Sequence, residues 1–122
     1  MAVVRENILR DKSYAFALRI VKAYKFLSQE QREFVLSKQM LRSGTSIGAM
    51  VREAEHAQSS ADFVSKLSIA LKEANETEYW LMLLKDSEYI GEDAFNSTLR
   101  DCQELLRLLI SSIKTAKQNM KH

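Results

Sequence analysis

Residues 60–87 read SADFVSKLSIALKEANETEYWLMLLKDS, and their pattern decides the fold. Phe63, Leu67, Ala70, Ala74, Thr77, Leu81 and Leu84 recur at alternating steps of four and three. Side chains at those steps share one face of an α-helix, and the repeat is the seam of a left-handed helical bundle. No glycine or proline interrupts the run. Ser59 precedes it, with Asp62 three residues on, an arrangement in which a side-chain oxygen caps the first turn. The spacing predicts a helix from about Ser60 to Ser87.

The same rhythm continues on the C-terminal side. Phe95, Leu99, Cys102, Leu106, Leu109, Ile113 and Ala116 predict a helix from about Glu92 to Lys117, with Leu105, Leu108 and Ile110 widening its stripe. Glu92 and Asp93 suit the positive end of a helix dipole, and Lys114, Lys117 and Lys121 suit the negative end. On the other side, Leu36, Met40, Gly44, Ile47, Val51 and Ala54 predict a helix from about Phe34 to Ala57. Gly44 and Gly48 each cost roughly 1 kcal/mol there against alanine. Close approach by a neighbouring backbone would compensate; a kink near Ser43 is the alternative. A first helix is expected from about Lys12 to Leu27, capped by Asp11 and followed by a polar connection at Gln29 to Arg32.

Proline is absent and glycine occurs three times in 122 residues, so an all-β chain, with its many turns, is excluded. Short connections between long helices make antiparallel neighbours natural. The expected architecture is all-α, an antiparallel up-and-down four-helix bundle. It is expected as one domain over residues 1–122, frayed at about 1–10 and 118–122. One cysteine forms no internal disulfide, no apolar run reaches the roughly 20 residues of a membrane span, and no secretory signal is visible. A cytoplasmic protein without a membrane partner is expected.

The apolar arc of helix 1 covers roughly 220° of its wheel, where about 100° serves one core. Tyr14, Leu18, Val21 and Tyr24 belong to the excess and mark a candidate interface between copies. The net charge of +2 hides an asymmetry. Residues 1–52 hold ten Lys/Arg against four Asp/Glu, residues 53–93 three against ten, and residues 94–122 five against two. Segments of opposite sign steer partners, other copies of the chain included. Lys12, Arg19, Lys22 and Lys25 on helix 1, with Lys114, Lys117 and Lys121, form candidate sites for nucleic-acid phosphates, with a solvated face as the plain alternative.

Catalytic chemistry finds little footing. A carboxylate-bridged di-metal centre in a four-helix bundle needs two Glu-x-x-His pairs. Glu53 and His56 supply one, and His122 is the other histidine. Cys102 falls on the core seam, and no phosphate-cradling glycine loop occurs. The expectation is no catalytic residue, no metal and no cofactor. Arg42, Ser43, Ser46 and Arg52 lie on helix 2, which is expected to pack antiparallel to helix 3 with its Glu73, Asn75 and Glu76. They are expected to form a polar network that fixes register, with a ligand pocket as the functional alternative.

Three stretches resemble a known family: residues 13–27 (SYAFALRIVKAYKFL), residues 39–49 (QMLRSGTSIGA) followed by Arg52-Glu-Ala-Glu55, and residues 71–81 (LKEANETEYWL). They are similar to the four-helix-bundle proteins encoded in intervening sequences of bacterial 23S ribosomal RNA genes. The resemblance spans roughly residues 11–90, and Met50 departs from it where the pattern has Asn. It implies an antiparallel bundle assembled as a ring-like homopentamer, with no established enzymatic activity. A related group, the accessory proteins of diversity-generating retroelements, binds a reverse transcriptase and nucleic acid through basic surfaces. The expected function is therefore a non-enzymatic oligomeric scaffold that binds RNA or DNA. A protein-interaction module without nucleic-acid affinity is the alternative.

Overall fold

The computed structural model describes residues 4–120, with side chains from Ile8 onward. These residues form four helices: α1 (Val4–Gln29), α2 (Leu36–Glu55), α3 (Ser60–Asp86) and α4 (Glu92–Met120). Each helix packs on two neighbours, α1 on α2 and α4, and α3 on α2 and α4, with no close backbone approach across either diagonal among the described residues. Residue pairs across the seams run in opposite senses. Ser13 meets Gly48 and Ile20 meets Gly44. Arg42 reaches Glu73, and Glu53 reaches Lys66. Ala74 meets Cys102, and Lys85 meets Glu92. Lys12 meets Glu104, and Arg19 meets Asp101. Numbers rise on one helix as they fall on its neighbour, which is the pattern of antiparallel packing.

The α3 seam buries as its spacing predicts, Phe63 alone staying half-buried. Ser59 accepts a hydrogen bond from the Asp62 backbone N–H at 3.0 Å, so the expected cap forms. On α4 the buried line is Phe95, Thr98, Cys102, Leu105, Leu109 and Ser112, with Ile113 beside it, while Leu99 and Leu106 are half-buried. The stripe is rotated from the expected seam because α4 must also cover α1.

α1 begins at Val4, two turns before the expected start, so Asp11 lies inside the helix and is not its cap. Leu9 is a core residue, only 1% exposed. Aspartate inside a helix costs well under about 1 kcal/mol, less than burying Leu9 returns. At its other end α1 closes with Arg32 in the left-handed region and the Glu33 N–H on the Leu27 carbonyl at 2.9 Å. Glu88, also left-handed, ends α3 through N–H bonds from Glu88 to Lys85 and from Tyr89 to Leu84, while Gly91 keeps a negative φ.

The α1–α2 seam is close. A Cβ at Gly44 would lie 2.9 Å from both Ile20 γ-carbons, and one at Gly48 would lie 3.3 Å from the Ser13 carbonyl oxygen. The glycines therefore serve close packing, and α2 runs unbroken through both.

Candidate functional site

The basic residues fall into two groups. Lys12 and Arg19 lie in the α1–α4 seam. Lys12 Nζ is 3.2 Å from Glu104, and Arg19 donates to Asp101 at 2.8 Å and to Ser97 Oγ at 2.7 Å. These two cations clamp helices together, and their charge is matched by carboxylates. Lys22 and Lys25 stay exposed on the outer face of α1, and Lys114 and Lys117 on α4. Lys121 lies outside the described residues.

The same pairing shapes the outside of α4. After Asp93 its acidic residues are Asp101 and Glu104, and both turn toward α1. The outward face carries Arg100, Arg107 and Lys114, all exposed and without an ion pair among the described residues, with Asp93 seven residues before Arg100 and Glu104 one turn from both arginines. Seven residues separate each of these cations from the next, about 10.5 Å along the axis with a drift of about 20° per step. Lys117 flanks the row. Sequence reading missed Arg100 and Arg107. The seven-residue repeat 100, 107, 114, 121 was present, but its meaning depended on where the intervening acids point.

The expected polar network divides. Arg42 bonds Glu73 at 3.3 Å and also Glu76, forming an exposed cluster between α2 and α3. Ser46 Oγ donates to the Arg42 carbonyl at 2.6 Å. Beneath it, the fully buried hydroxyls of Ser43 and Thr77 lie 2.8 Å apart, and Thr77 Oγ1 is 2.8 Å from the Glu73 carbonyl. Asn75 is exposed and outside the cluster, and Arg52 instead lies 5.9 Å over the Tyr14 ring. One open groove of about 410 Å³ lies beside Leu71, Ile110 and Lys114, and another of about 440 Å³ beside Arg52, His56 and Asp62. Neither is lined by Arg42 or Glu73.

The hydroxyl pair has a measurable weight. Thr77→Val removes the short bond and leaves Ser43 only its 3.4 Å contact with the Met40 carbonyl. Loss of a buried hydrogen bond predicts a cost of about 1–2 kcal/mol in urea unfolding. Arg42→Ala, on an exposed pair, should cost under about 1 kcal/mol. A larger loss from Arg42 than from Thr77 would reverse this assignment.

The 23S rRNA-intervening sequence protein family matches residues 5–111. This chain belongs to that family. A solved structure of a protein of unknown function, from the S23 ribosomal protein family of Bacteroides thetaiotaomicron VPI-5482, is 62% identical to it. That comparison covers 91% of this chain and 99% of the other, with a TM-score of 0.90. No curated protein matches the chain.

In this member of the 23S rRNA-intervening sequence family, Met50 is half-buried against the core and joins no polar network. Cys102 is fully buried. Its thiol contacts the Ala74 carbonyl at 3.3 Å, and burial, with the Glu78 carboxylate adding to it, pushes its pKa up to about 12. A thiol held protonated in this way behaves as a small apolar side chain. His56 is exposed and caps the end of α2, its backbone N–H bonding the Glu53 carbonyl. Glu53 itself lies 3.6 Å from Lys66. Among the described residues, no three His, Cys, Asp or Glu gather where they could hold a metal ion. No helix there is long and apolar enough to cross a membrane. The outer face of α1 leaves Tyr14 and Leu18 each 55% exposed, with Val21 and Tyr24 half-buried beside them.

Proposed function

We propose that this protein is a non-enzymatic, self-associating helical scaffold of the cytoplasm that holds RNA or DNA by charge along the outer face of α4. The row Arg100, Arg107 and Lys114 carries this reading, because its three exposed cations share a line and form no ion pair among the described residues, while Glu104, one turn from both arginines, is held by Lys12. A protein that neutralises phosphates releases condensed counterions, so its affinity falls steeply as salt rises. Nothing in the row selects a base, and the binding is independent of sequence. Lys22 and Lys25 belong to the face expected to meet another copy, and Lys12 and Arg19 to the clamp between α1 and α4. Family resemblance supplies the expectation of five copies in a ring.

Fluorescence anisotropy with labelled single-stranded RNA and duplex DNA tests this. Three or four single-strand contacts predict a loss of affinity of roughly 20- to 50-fold between 50 and 200 mM salt. Replacing Arg100, Arg107 and Lys114 together with Gln should weaken binding at least about tenfold at low salt and flatten the log–log salt slope by about 2. No binding by the unaltered protein at low salt, or full binding by the triple variant, would contradict the proposal.

A second reading has its own observation. The exposed Tyr14 and Leu18 fit a protein-interaction module without nucleic-acid affinity. Co-purification from the native cell separates the two: nuclease treatment leaves a directly bound protein attached and releases one tethered through RNA.

A further inference from the structure

We infer that the open groove between α3 and α4 takes an unpaired base of a bound single strand, while the row of cations beside it takes the strand's phosphates. The inference rests on the nucleic-acid binding proposed above and names the form of nucleic acid that the site fits.

The groove has an aliphatic floor and a cationic edge. Leu71 of α3 and Ile110 and Ile113 of α4 line it together with Lys114 and Lys117, in a space of about 410 Å³. Ile113 is packed into the core, whereas Ile110 is 54% exposed. One exposed isoleucine is ordinary by itself. This one follows Arg107 by three residues and precedes Lys114 by four, so it shares their side of α4. The row also converges on the groove. A seven-residue repeat drifts around a straight helix by about 20° per step. Arg100 and Arg107 stand clear of the groove, and the third cation, Lys114, has become part of its wall.

The carboxylates nearby are placed elsewhere. α3 has no Asp or Glu from Phe63 to Lys72, and α4 has none after Glu104. Glu104 is held by Lys12 and Asp101 by Arg19, both toward α1. Glu73 meets Arg42 on the α2 side of α3, and Asp62 lines the other groove beside Lys66. Glu78 does lie toward α4, close enough to act on the Cys102 thiol. It stands seven residues from Leu71, about 10.5 Å along the axis and toward the Arg100 end of the row.

Positive charge along one edge and aliphatic surface beside it match the layout of a nucleotide, with its phosphate on one side and a flat base on the other. Proteins that hold single strands combine a cationic track with surfaces that receive the faces of bases. Every base has such a face, so this contact adds affinity without reading sequence. In a duplex the faces are stacked on their neighbours, and the cations alone make contact. The groove's size also lies within the roughly 300–1,000 Å³ of pockets that hold small organic molecules.

Three labelled probes in an anisotropy titration test the inference: oligothymidylate, an abasic deoxyribose-phosphate strand of the same length, and duplex DNA. The unaltered protein should hold oligothymidylate at least about fivefold more tightly than the abasic strand, which carries the same charge without bases. Ile110→Ser, at a half-exposed position, should remove most of that difference. It should leave the affinities for the abasic strand and the duplex, and every salt slope, as they were, because an apolar contact releases no counterions. Equal affinity for the two single strands, which needs no variant to measure, would overturn the inference and leave binding by charge standing. So would Ile110→Ser that binds oligothymidylate as well as the parent, or that weakens all three probes alike. Failure of the unaltered protein to bind any probe at low salt would overturn the nucleic-acid reading itself, and this inference with it.

Discussion

Glu33→Ala should destabilise the protein by about 2–3 kcal/mol, the combined loss of a helix cap and of partners for buried donors. The Glu33 side chain, 8% exposed, folds back onto the start of α2. Its carboxylate accepts the backbone N–H groups of Val35 at 3.1 Å, Leu36 at 2.9 Å and Ser37 at 2.7 Å. Ser37 returns a hydroxyl bond to the Glu33 carbonyl at 2.7 Å. A helix start leaves such N–H groups without intrahelical partners, and a negative charge also opposes the dipole there. Burial by itself pushes the Glu33 pKa up, but the donors of Leu36, Ser37 and Val35 and the Ser37 hydroxyl outweigh it and hold the pKa below its ordinary value. A depressed folded pKa means the contribution is complete above the unfolded value, about 4.3, and is lost as pH falls through the folded one. The stability gap between the parent and Glu33→Gln should therefore be constant near neutrality and shrink below about pH 4. Urea unfolding across pH reads both effects. Alanine tolerated within about 0.5 kcal/mol, or a gap that widens in acid, would contradict them.

Gly44→Ala is expected to cost about 1–2 kcal/mol, although alanine favours a helix over glycine by up to about 1 kcal/mol. The added methyl would lie 2.9 Å from two carbons of Ile20 and 3.3 Å from its Cβ. Ile20 is fully buried, and a β-branched side chain has little freedom to turn aside. Overpacking of this kind costs typically about 1–3 kcal/mol. The double variant Ile20→Ala with Gly44→Ala removes the clashing carbons. Its loss should be smaller than the sum of the two single losses by at least about 1 kcal/mol. Additive losses would mean that α1 and α2 do not meet at this point.

These two positions mark the edge of what the sequence discloses. The α3 seam, the Ser59 cap and the buried state of Cys102 were legible because each depends on residues a few places apart. The close packing at Gly44 and Gly48 was legible as a need, since two helical glycines require compensation, but the partner Ile20 became visible only in three dimensions. Glu33 escaped notice for a physical reason. Glutamate is not among the usual capping residues, and it reaches the α2 start only because Arg32 turns the chain through the left-handed region. The start of α1 was misplaced because Asp11 has the chemistry of a cap and the sequence does not show that Leu9 is covered.

The candidate interface followed the same logic. Lys12 and Arg19 looked like free cations because Glu104 and Asp101 lie 92 and 82 residues away along the chain. That pairing, once formed, engages the carboxylates beside Arg100 and Arg107 and brings these two arginines into consideration. Arg52 likewise left the expected network for the Tyr14 ring, since α2 turns it toward α1. In each case local spacing gave the face of the helix, and the identity of the neighbour across the seam decided what that face could do.

Sedimentation equilibrium of the unaltered protein at micromolar concentration is the most direct test, because the whole reading requires the greasy outer surface of α1 to be covered by another copy. The predicted mass is a whole-number multiple of 14.0 kDa that persists on dilution through the micromolar range. A well-folded species of 14.0 kDa, with Tyr14 and Leu18 left in water, would contradict it.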